Sequence, residues 1–153
     1  MSLEHQLDTD DPTMSAVGPE PSGQPAPAVS FDAGSLAALR RQVLVHAAAL
    51  DFAPQRCADV ALVVSELATN SIVHGGGRGT LRTWNEGDRI VHEIRDSGYI
   101  ADPSAGTRLP PPDNRSGRGL WLVDHLSDRV QRHSSRAGTT TRVTFGREPR
   151  QAR

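Results

Sequence analysis

The sequence predicts an α+β fold, a two-layer α/β sandwich in which helices cover one face of a mostly antiparallel, mixed sheet. Apolar residues recur with helical spacing over residues 36–50 and 54–74, and the pattern then changes to that of a hairpin over 80–95. One more helix and a second hairpin complete the order. No crossover helix separates the paired strands as it would in a Rossmann unit, which favours an antiparallel sheet.

The folded domain is expected to span residues 29–147. Residues 1–28 are rich in Pro, Ser, Gly, Asp and Glu, and such a segment cannot bury enough apolar surface to offset its chain entropy. We expect a disordered leader, or a linker left from something larger. Residues 148–153 are expected to be a disordered tail.

Two helices are predicted at the start of the domain. The first has Asp32 or Ser35 as its N-cap, and its buried positions are Leu36, Leu39, Val43, Ala47 and Leu50. The second opens at Pro54, a residue suited to a first helical turn, and ends in the glycines at 75–77. Its inward stripe is formed by Val60, Val63, Val64, Leu67 and Ser71.

The remaining elements follow from a change of period. Strands over 80–84 and 90–95 are joined across residues 85–88 as an antiparallel hairpin. Residues 97–115 hold four prolines and two glycines and are predicted to be a long loop, a length that is usually functional or mobile. A third helix starts near Ser116, and a strand over 139–145 follows, with 130–134 as its expected partner.

Composition excludes several classes of function. The formal net charge is -1, which gives no electrostatic case for direct nucleic-acid binding. All 17 basic residues are arginine, so the glycine run at 75–79 cannot be a Walker phosphate loop and Schiff-base chemistry is excluded. The single cysteine permits neither an intrachain disulfide nor a four-cysteine zinc site. No apolar run could span a bilayer, and we expect a soluble, cytoplasmic protein without membrane contact.

Glu66 and Asn70 stand four residues apart on the second helix, so their side chains lie one above the other. An amide oxygen is a ligand suited to a hard cation such as Mg²⁺, and a carboxylate can accept a proton from a hydroxyl or water. Taken alone, the pair is more simply explained as two solvent-side residues. His74, one turn further on, suits the negative end of the helix dipole.

Two further motifs have both a functional and a plain structural explanation, and a third has a structural explanation that suffices. Asp96 and Gly98 follow a strand, where a carboxylate could bond an exocyclic amine beside a glycine that admits a flat ligand, or could form an ordinary turn. The stretch SGRGL at 116–120 opens a helix, where bare amides and arginines favour an anion, or it is a hinge. The stretch GTT at 138–140 is explained by a turn and β-favouring threonines.

The order of these motifs resembles the GHKL ATPase superfamily, whose nucleotide site is called the Bergerat fold. The succession SELATNSIVHG, IRDSG, SGRGLWLVD and GTTTRVTF is most similar to the small bacterial anti-sigma factor kinases and their ATP-binding relatives. The resemblance covers about residues 30–146. It implies the histidine-kinase-like ATPase fold, with ATP and Mg²⁺ as ligands.

The resemblance also implies roles for single residues. Glu66 would be the general base and Asn70 the Mg²⁺ ligand, while Asp96 would bond the adenine amino group beside Gly98. Thr139 would reach the adenine pocket. The implied phosphate-end residues are Arg115, Gly117, Arg118, Gly119 and Leu120. Residues 99–115 would form a lid over the nucleotide.

The function implied is that of an anti-sigma factor-like protein serine/threonine kinase, which uses Mg·ATP to phosphorylate an anti-anti-sigma (STAS-type) partner and also binds a sigma factor. A homodimer is implied too. Three alternatives stay open: a catalytically silent ATP-binding interaction module, the detached ATPase domain of a larger sensor protein, and a clamp ATPase. The chain lacks a recognisable acceptor-histidine domain and a transducer domain, which disfavours a complete sensor kinase and a clamp.

Two departures from the family pattern concern the phosphate end. Val73 stands where many relatives carry a basic residue, so one possible phosphate contact is missing. The expected lid contains the triple proline at 110–112, which is not typical of any one partner.

Overall fold

The computed structural model describes residues 27–100 and 115–148. Over these two stretches the chain forms three α-helices: α1 Leu36–Ala49, α2 Pro54–His74 and α3 Arg115–Leu126. The same stretches form five strands: β1 Val29–Asp32, β2 Arg78–Glu86, β3 Arg89–Asp96, β4 Arg129–Ser135 and β5 Gly138–Phe145. None of the helices in these stretches is long and apolar enough to cross a bilayer.

The strands form one sheet in the order β1-β2-β3-β5-β4, and each pairing between these described strands is antiparallel. Two of the four pairings are hairpins between consecutive strands, which can only be antiparallel when the connection is this short. The predicted α+β sandwich is confirmed. The sheet is antiparallel throughout the described strands, so its predicted mixed character does not hold there.

Helix α2 is the central element of the helical layer and packs against both other helices and the middle of the sheet. Its residues Val60, Val63 and Val64 are fully buried. They join sheet residues such as Ile90 and Val143 in one core cluster. The predicted stripe thus faces the sheet, and α1 and α3 add Val43 and Val123 to the same core.

Strand β1 was missing from the sequence prediction. It pairs with β2 in a register that sets Phe31 opposite Gly79. Phe31 is buried, and a Cβ at Gly79 would stand 2.6 Å from its ring. A four-residue strand is too short to show a period, whereas this pairing depends on a glycine far away in sequence.

The predicted β2–β3 hairpin exists, but its strands are longer than expected and its connection is shorter. Only Gly87 and Asp88 separate the two strands, and Gly87 has a φ of 62°. A tight turn of this kind needs a left-handed backbone, which glycine adopts without steric cost. The second hairpin pairs β4 with β5 as predicted.

The sheet face turned away from the helices carries a charged cluster around Glu93. Adjacent residues on a strand point to opposite faces, and Ile94 belongs to the core. The Glu93 carboxylate accepts hydrogen bonds from Arg82, Arg95 and Arg142 at 2.7–3.3 Å. Burial raises the pKa of Glu93, but the hydrogen bonds and charges of the arginines outweigh it and leave the pKa below its ordinary value.

Several predicted segments fall outside the described residues. They are residues 1–26 of the expected leader, 149–153 of the expected tail and 101–114 of the expected lid. The domain boundaries at 29 and 147 therefore stay predictions.

Candidate functional site

Glu66 and Asn70 lie at the edge of α2, between the buried core stripe and the surface. Both side chains are half-buried, while their neighbours Ser65 and Leu67 are buried. The Nδ2 atom of Asn70 is inaccessible to solvent and has no hydrogen-bond partner among the described residues. Because an unsatisfied buried amide costs free energy, this position is one that a ligand group could stabilise.

Gly119 of α3 lies directly against the carboxylate of Glu66. A Cβ built at Gly119 would stand 2.5 Å from Oε2 of Glu66, so only glycine lets the carboxylate rest on the α3 backbone. The sequence placed this glycine at the helix cap. The helix begins at Arg115, however, so Gly119 lies in the second turn, where its N–H belongs to the helix. Gly119 therefore allows the Glu66 carboxylate to approach the α3 backbone closely, and it does not supply an unpaired N–H group.

The other predicted phosphate-end residues also lie on α3. Arg115 and Gly117 belong to its first turn, where N–H groups have no partner within the helix. Arg118 is exposed and Leu120 is half-buried. Of the predicted phosphate-end residues, Gly119 is the one for which the described structure shows a contact with Glu66.

Asp96 is the last residue of β3, and its carboxylate is held from two sides. Its Oδ2 accepts a hydrogen bond of 2.6 Å from Ser71 of α2, and its Oδ1 accepts one of 2.7 Å from the Gly98 N–H. A Cβ at Gly75 would stand 2.6 Å from Oδ2. The carboxylate is therefore fixed against the last turn of α2, with lone pairs left on each oxygen.

Gly98 and Thr139 meet beside this carboxylate. The Thr139 hydroxyl donates to the Gly98 carbonyl at 2.9 Å and shares a 2.6 Å hydrogen bond with Ser134. Ser134 in turn accepts from the Ile100 N–H at 2.7 Å. A Cβ at Gly98 would stand 2.8 Å from the His74 carbonyl, so the chain after β3 passes close to the end of α2.

The predicted residues thus form two groups joined by α2. Asp96, Gly98 and Thr139 lie at its C-terminal end, and Glu66 with Gly119 lies further back. Ser71 follows Glu66 by five positions, which corresponds to roughly 7.5 Å along the helix axis. Asn70 lies between the two groups on the same helix.

Three residues of this arrangement were not assigned to the site from sequence. Ser71 was recognised only as part of the buried stripe of α2, although a hydroxyl among valines and leucines was a signal that a polar partner lies nearby. The sequence around Gly75 indicates only the end of a helix. Ser134 gave no signal, because its meeting with Thr139 depends on the register of the β4–β5 hairpin.

Residues 29–145 match the family model described as a histidine kinase-like ATPase domain. The chain belongs to this family. The predicted resemblance to the GHKL superfamily is thereby confirmed, and membership of an ATPase-domain family implies ATP binding.

The relatives of this histidine kinase-like ATPase domain include anti-sigma F factors. Those of Thermoanaerobacter sp. (strain X514) and Thermoanaerobacter pseudethanolicus (strain ATCC 33223 / 39E) are each 32% identical over 117 residues, which cover 69% of this chain and 80% of theirs. The chain is therefore similar to anti-sigma factors over most of their length.

Among solved structures, the fold is similar to that of the RsbU and RsbW domains of Rv1364c from Mycobacterium tuberculosis. The TM-score is 0.54 at 14% identity, over 79% of this chain and 32% of that one. This chain thus spans about a third of that protein, and at this identity the likeness concerns the fold alone.

Proposed function

We propose that this protein is an anti-sigma-type serine/threonine kinase, which transfers the γ-phosphoryl group of Mg·ATP to a hydroxyl of a protein partner. The observation that carries the proposal is the pair of groups along α2. A carboxylate fixed by Ser71 and Gly98 stands at one end, and a second carboxylate, on Glu66, lies against α3 further back. A nucleotide has its base at one end and its reacting phosphate at the other.

Asp96 is proposed to bind the adenine. Each of its oxygens accepts one hydrogen bond from the protein, and a carboxylate oxygen can accept another from the exocyclic amine of the base. Gly98 presents no side chain toward the base. Thr139 supports this end by holding the Gly98 carbonyl.

Asn70 is proposed to hold Mg²⁺ through its amide oxygen, a type of ligand that Mg²⁺ accepts. Its Nδ2 is buried and has no hydrogen-bond partner among the described residues, which supports a site where a bound ligand would accept that hydrogen bond. When bound, Mg²⁺ supplies positive charge to the phosphate oxygens. The first turn of α3, with Arg115, Gly117 and Arg118, adds the positive end of the helix dipole and guanidinium donors.

Glu66 is proposed as the general base. The partner hydroxyl oxygen forms a bond to the γ-phosphorus while the bond from that phosphorus to the β–γ bridging oxygen breaks. The hydroxyl proton passes to the Glu66 carboxylate, and the products are ADP and a phosphoserine or phosphothreonine. Gly119 supports this role because it leaves room for the carboxylate beside α3.

The partner is proposed from the relatives' name, anti-sigma F factor. A sigma factor and a STAS-type anti-anti-sigma protein are the two proposed partners, and phosphorylation of the second would decide which of them is bound. A homodimer and a cytoplasmic location remain part of the proposal.

The test is transfer of labelled γ-phosphate from ATP to a candidate STAS-type partner. Glu66→Gln should reduce the rate by about 10²–10⁴-fold, the usual contribution of a general base, and should leave ATP binding largely intact. Glu148→Gln, the same change at an exposed position, is the matched control. Transfer at the normal rate in Glu66→Gln would refute the assigned base. ATP binding without transfer to any partner would indicate a silent interaction module.

A further inference from the structure

A cavity lies between α1 and the first three strands. Its volume is about 230 Å³. Val29, Val43 and Leu81 supply apolar walls, and His46, Thr83 and His92 supply polar ones. It shares no lining residue with the proposed nucleotide site.

His92 is the buried polar group of this cavity. Its side chain is 1% exposed, and its Nδ1 shares a 2.8 Å hydrogen bond with the Thr83 hydroxyl on the neighbouring strand. The other ring nitrogen, Nε2, is buried and has no hydrogen-bond partner among the described residues. A buried nitrogen of this kind is unfavourable unless something pairs with it.

The cavity is separate from the nucleotide site although both lie along β3. His92 precedes Asp96 by four residues, which places them on the same face of the sheet and roughly 13 Å apart. An occupant of the cavity therefore contacts α1 and the β1–β2 edge rather than the end of α2.

We propose that this cavity is a binding site for a small, uncharged, mainly apolar molecule that carries one hydroxyl group, which pairs with Nε2 of His92. A dry apolar cavity of about 150 Å³ is known to accept benzene, so a volume of this order suits a single ring with a substituent. The apolar walls fit the ring, and the imidazole fits the hydroxyl.

A hydroxyl fits because it both donates and accepts a hydrogen bond. If Nδ1 of His92 carries the proton, Nε2 accepts, and if Thr83 donates to Nδ1, Nε2 carries the proton and donates. A hydroxyl pairs with either form. The nearby His46 is already engaged, since its Nε2 lies 3.2 Å from Oδ1 of Asn85.

An uncharged ligand is favoured because His92 itself is held neutral. Burial, and to a smaller extent the charge of His46, lowers the pKa of His92 to about 3. A carboxylate would have to leave water and enter the cavity as a charge opposite a neutral imidazole, which costs more free energy than the entry of an uncharged hydroxyl.

The test compares phenol with toluene, which have nearly the same shape and differ in the hydroxyl. The full 153-residue chain, labelled with ¹⁵N in its histidines, is titrated with each and observed by NMR. Phenol is expected to shift the His92 Nε2 signal saturably and to bind about tenfold more tightly than toluene, a ratio equal to one good hydrogen bond. Equal affinities, or no saturable shift at His92, would overturn the proposal and leave a cavity that holds only water.

Two variants separate binding from folding. Val29→Trp adds a bulky ring at a position that is 39% exposed at the cavity and should abolish the phenol shift. Val45→Trp, at an exposed position of α1 outside the cavity lining, is the matched control and should leave the shift unchanged. His92→Leu should bring the two affinities together; if it fails to fold, the Val29→Trp pair still decides. Phenol binding that persists in Val29→Trp contradicts the assigned position.

Discussion

Ser71 donates a 2.6 Å hydrogen bond to the Asp96 carboxylate, and this bond ties the last turns of α2 to the end of β3. The two residues come from different layers of the sandwich, so the carboxylate is oriented by the packing of helix on sheet. The Gly98 N–H holds its other oxygen. A ligand that binds Asp96 therefore meets a group whose orientation is set before binding, which reduces the entropy lost on association.

Ser71→Ala should weaken ATP binding while the protein stays folded. The change removes one of the two hydrogen bonds that hold Asp96, and about 1 kcal/mol corresponds to about a fivefold rise in Kd. Calorimetric titration with Mg·ATP measures it. Thr69→Ala, on an exposed face of the same helix, is the control and should leave Kd unchanged. Equal affinities in wild type and Ser71→Ala would show that Asp96 is not oriented through this bond.

Gly119→Ala should impair phosphoryl transfer without loss of stability. Alanine is favoured over glycine inside a helix by about 1 kcal/mol, so unfolding should not become easier. Its Cβ, however, would stand 2.5 Å from Oε2 of Glu66, and the flexible carboxylate would have to move. A stable variant that transfers phosphate at the wild-type rate would show that Gly119 is not needed to position the Glu66 carboxylate.

Glu93→Gln should destabilise the protein. The carboxylate binds three arginines, of which Arg142 is buried and Arg95 is half-exposed, so loss of the charge should cost about 3 kcal/mol, the low end of the range for breaking a buried ion pair. Urea denaturation measures the free energy of unfolding. Glu148→Gln, the same change at an exposed position outside the cluster, is the control. A cost below that of the control would mean that the cluster contributes nothing net.

The lowered pKa of Glu93 also gives a pH dependence with a definite sign. The folded protein holds Glu93 ionised to lower pH than the unfolded chain does. The contribution of Glu93 to the free energy of unfolding is therefore complete above the unfolded pKa of 4.5. It is lost as the pH falls through the lower pKa of the folded protein. The difference in unfolding free energy between wild type and Glu93→Gln should shrink as the solution is acidified below that pKa. If this difference in unfolding free energy stays constant on acidification, the pKa of Glu93 is not lowered by folding.

His92 should make the protein less stable in mild acid. Its pKa is about 3 in the folded chain and 6.5 in the unfolded one, so between these values only the unfolded chain binds the proton. The contribution of His92 to the free energy of unfolding is complete above pH 6.5. It falls as the pH decreases toward 3, by at most about 1.4 kcal/mol per pH unit.

Urea denaturation between about pH 7 and pH 5 measures this dependence on wild type and on His92→Phe. The slope that His92 supplies should be absent from the variant. Thr69→Ala, at an exposed position of α2, alters no titratable group and should keep the wild-type slope. Parallel slopes in wild type and His92→Phe would mean that His92 is not held neutral by the fold.

Sequence alone predicts the elements whose information is local. The buried stripe of α2 repeats over 21 residues, and the β2–β3 hairpin has a clear change of period on both sides of its turn. The spacing of Glu66 and Asn70 fixes their common helix face for the same reason. Strand β1 was missed because its four residues are specified by Gly79 across the sheet.

The candidate site was predictable in its residue types but not in its contacts. The carboxylate of Asp96 and the glycine after it are adjacent in sequence, whereas Ser71 reaches them only because α2 packs against the end of β3. Gly119 is the clearest case of a contact that the sequence alone could not predict. Its motif suggested a helix cap, and only the packing of α3 on α2 reveals that it makes room for Glu66.

Titration of the full chain with ATP by calorimetry, with and without Mg²⁺, tests the central claim most directly. Wild type and Asp88→Asn, a matched change in the exposed β2–β3 turn, should bind ATP with the same Kd and bind it more tightly with Mg²⁺. Asp96→Asn should lose at least about tenfold in affinity, because an amide cannot replace both acceptor oxygens. Wild-type affinity in Asp96→Asn, or no measurable binding by wild type, would contradict a nucleotide site at this end of α2.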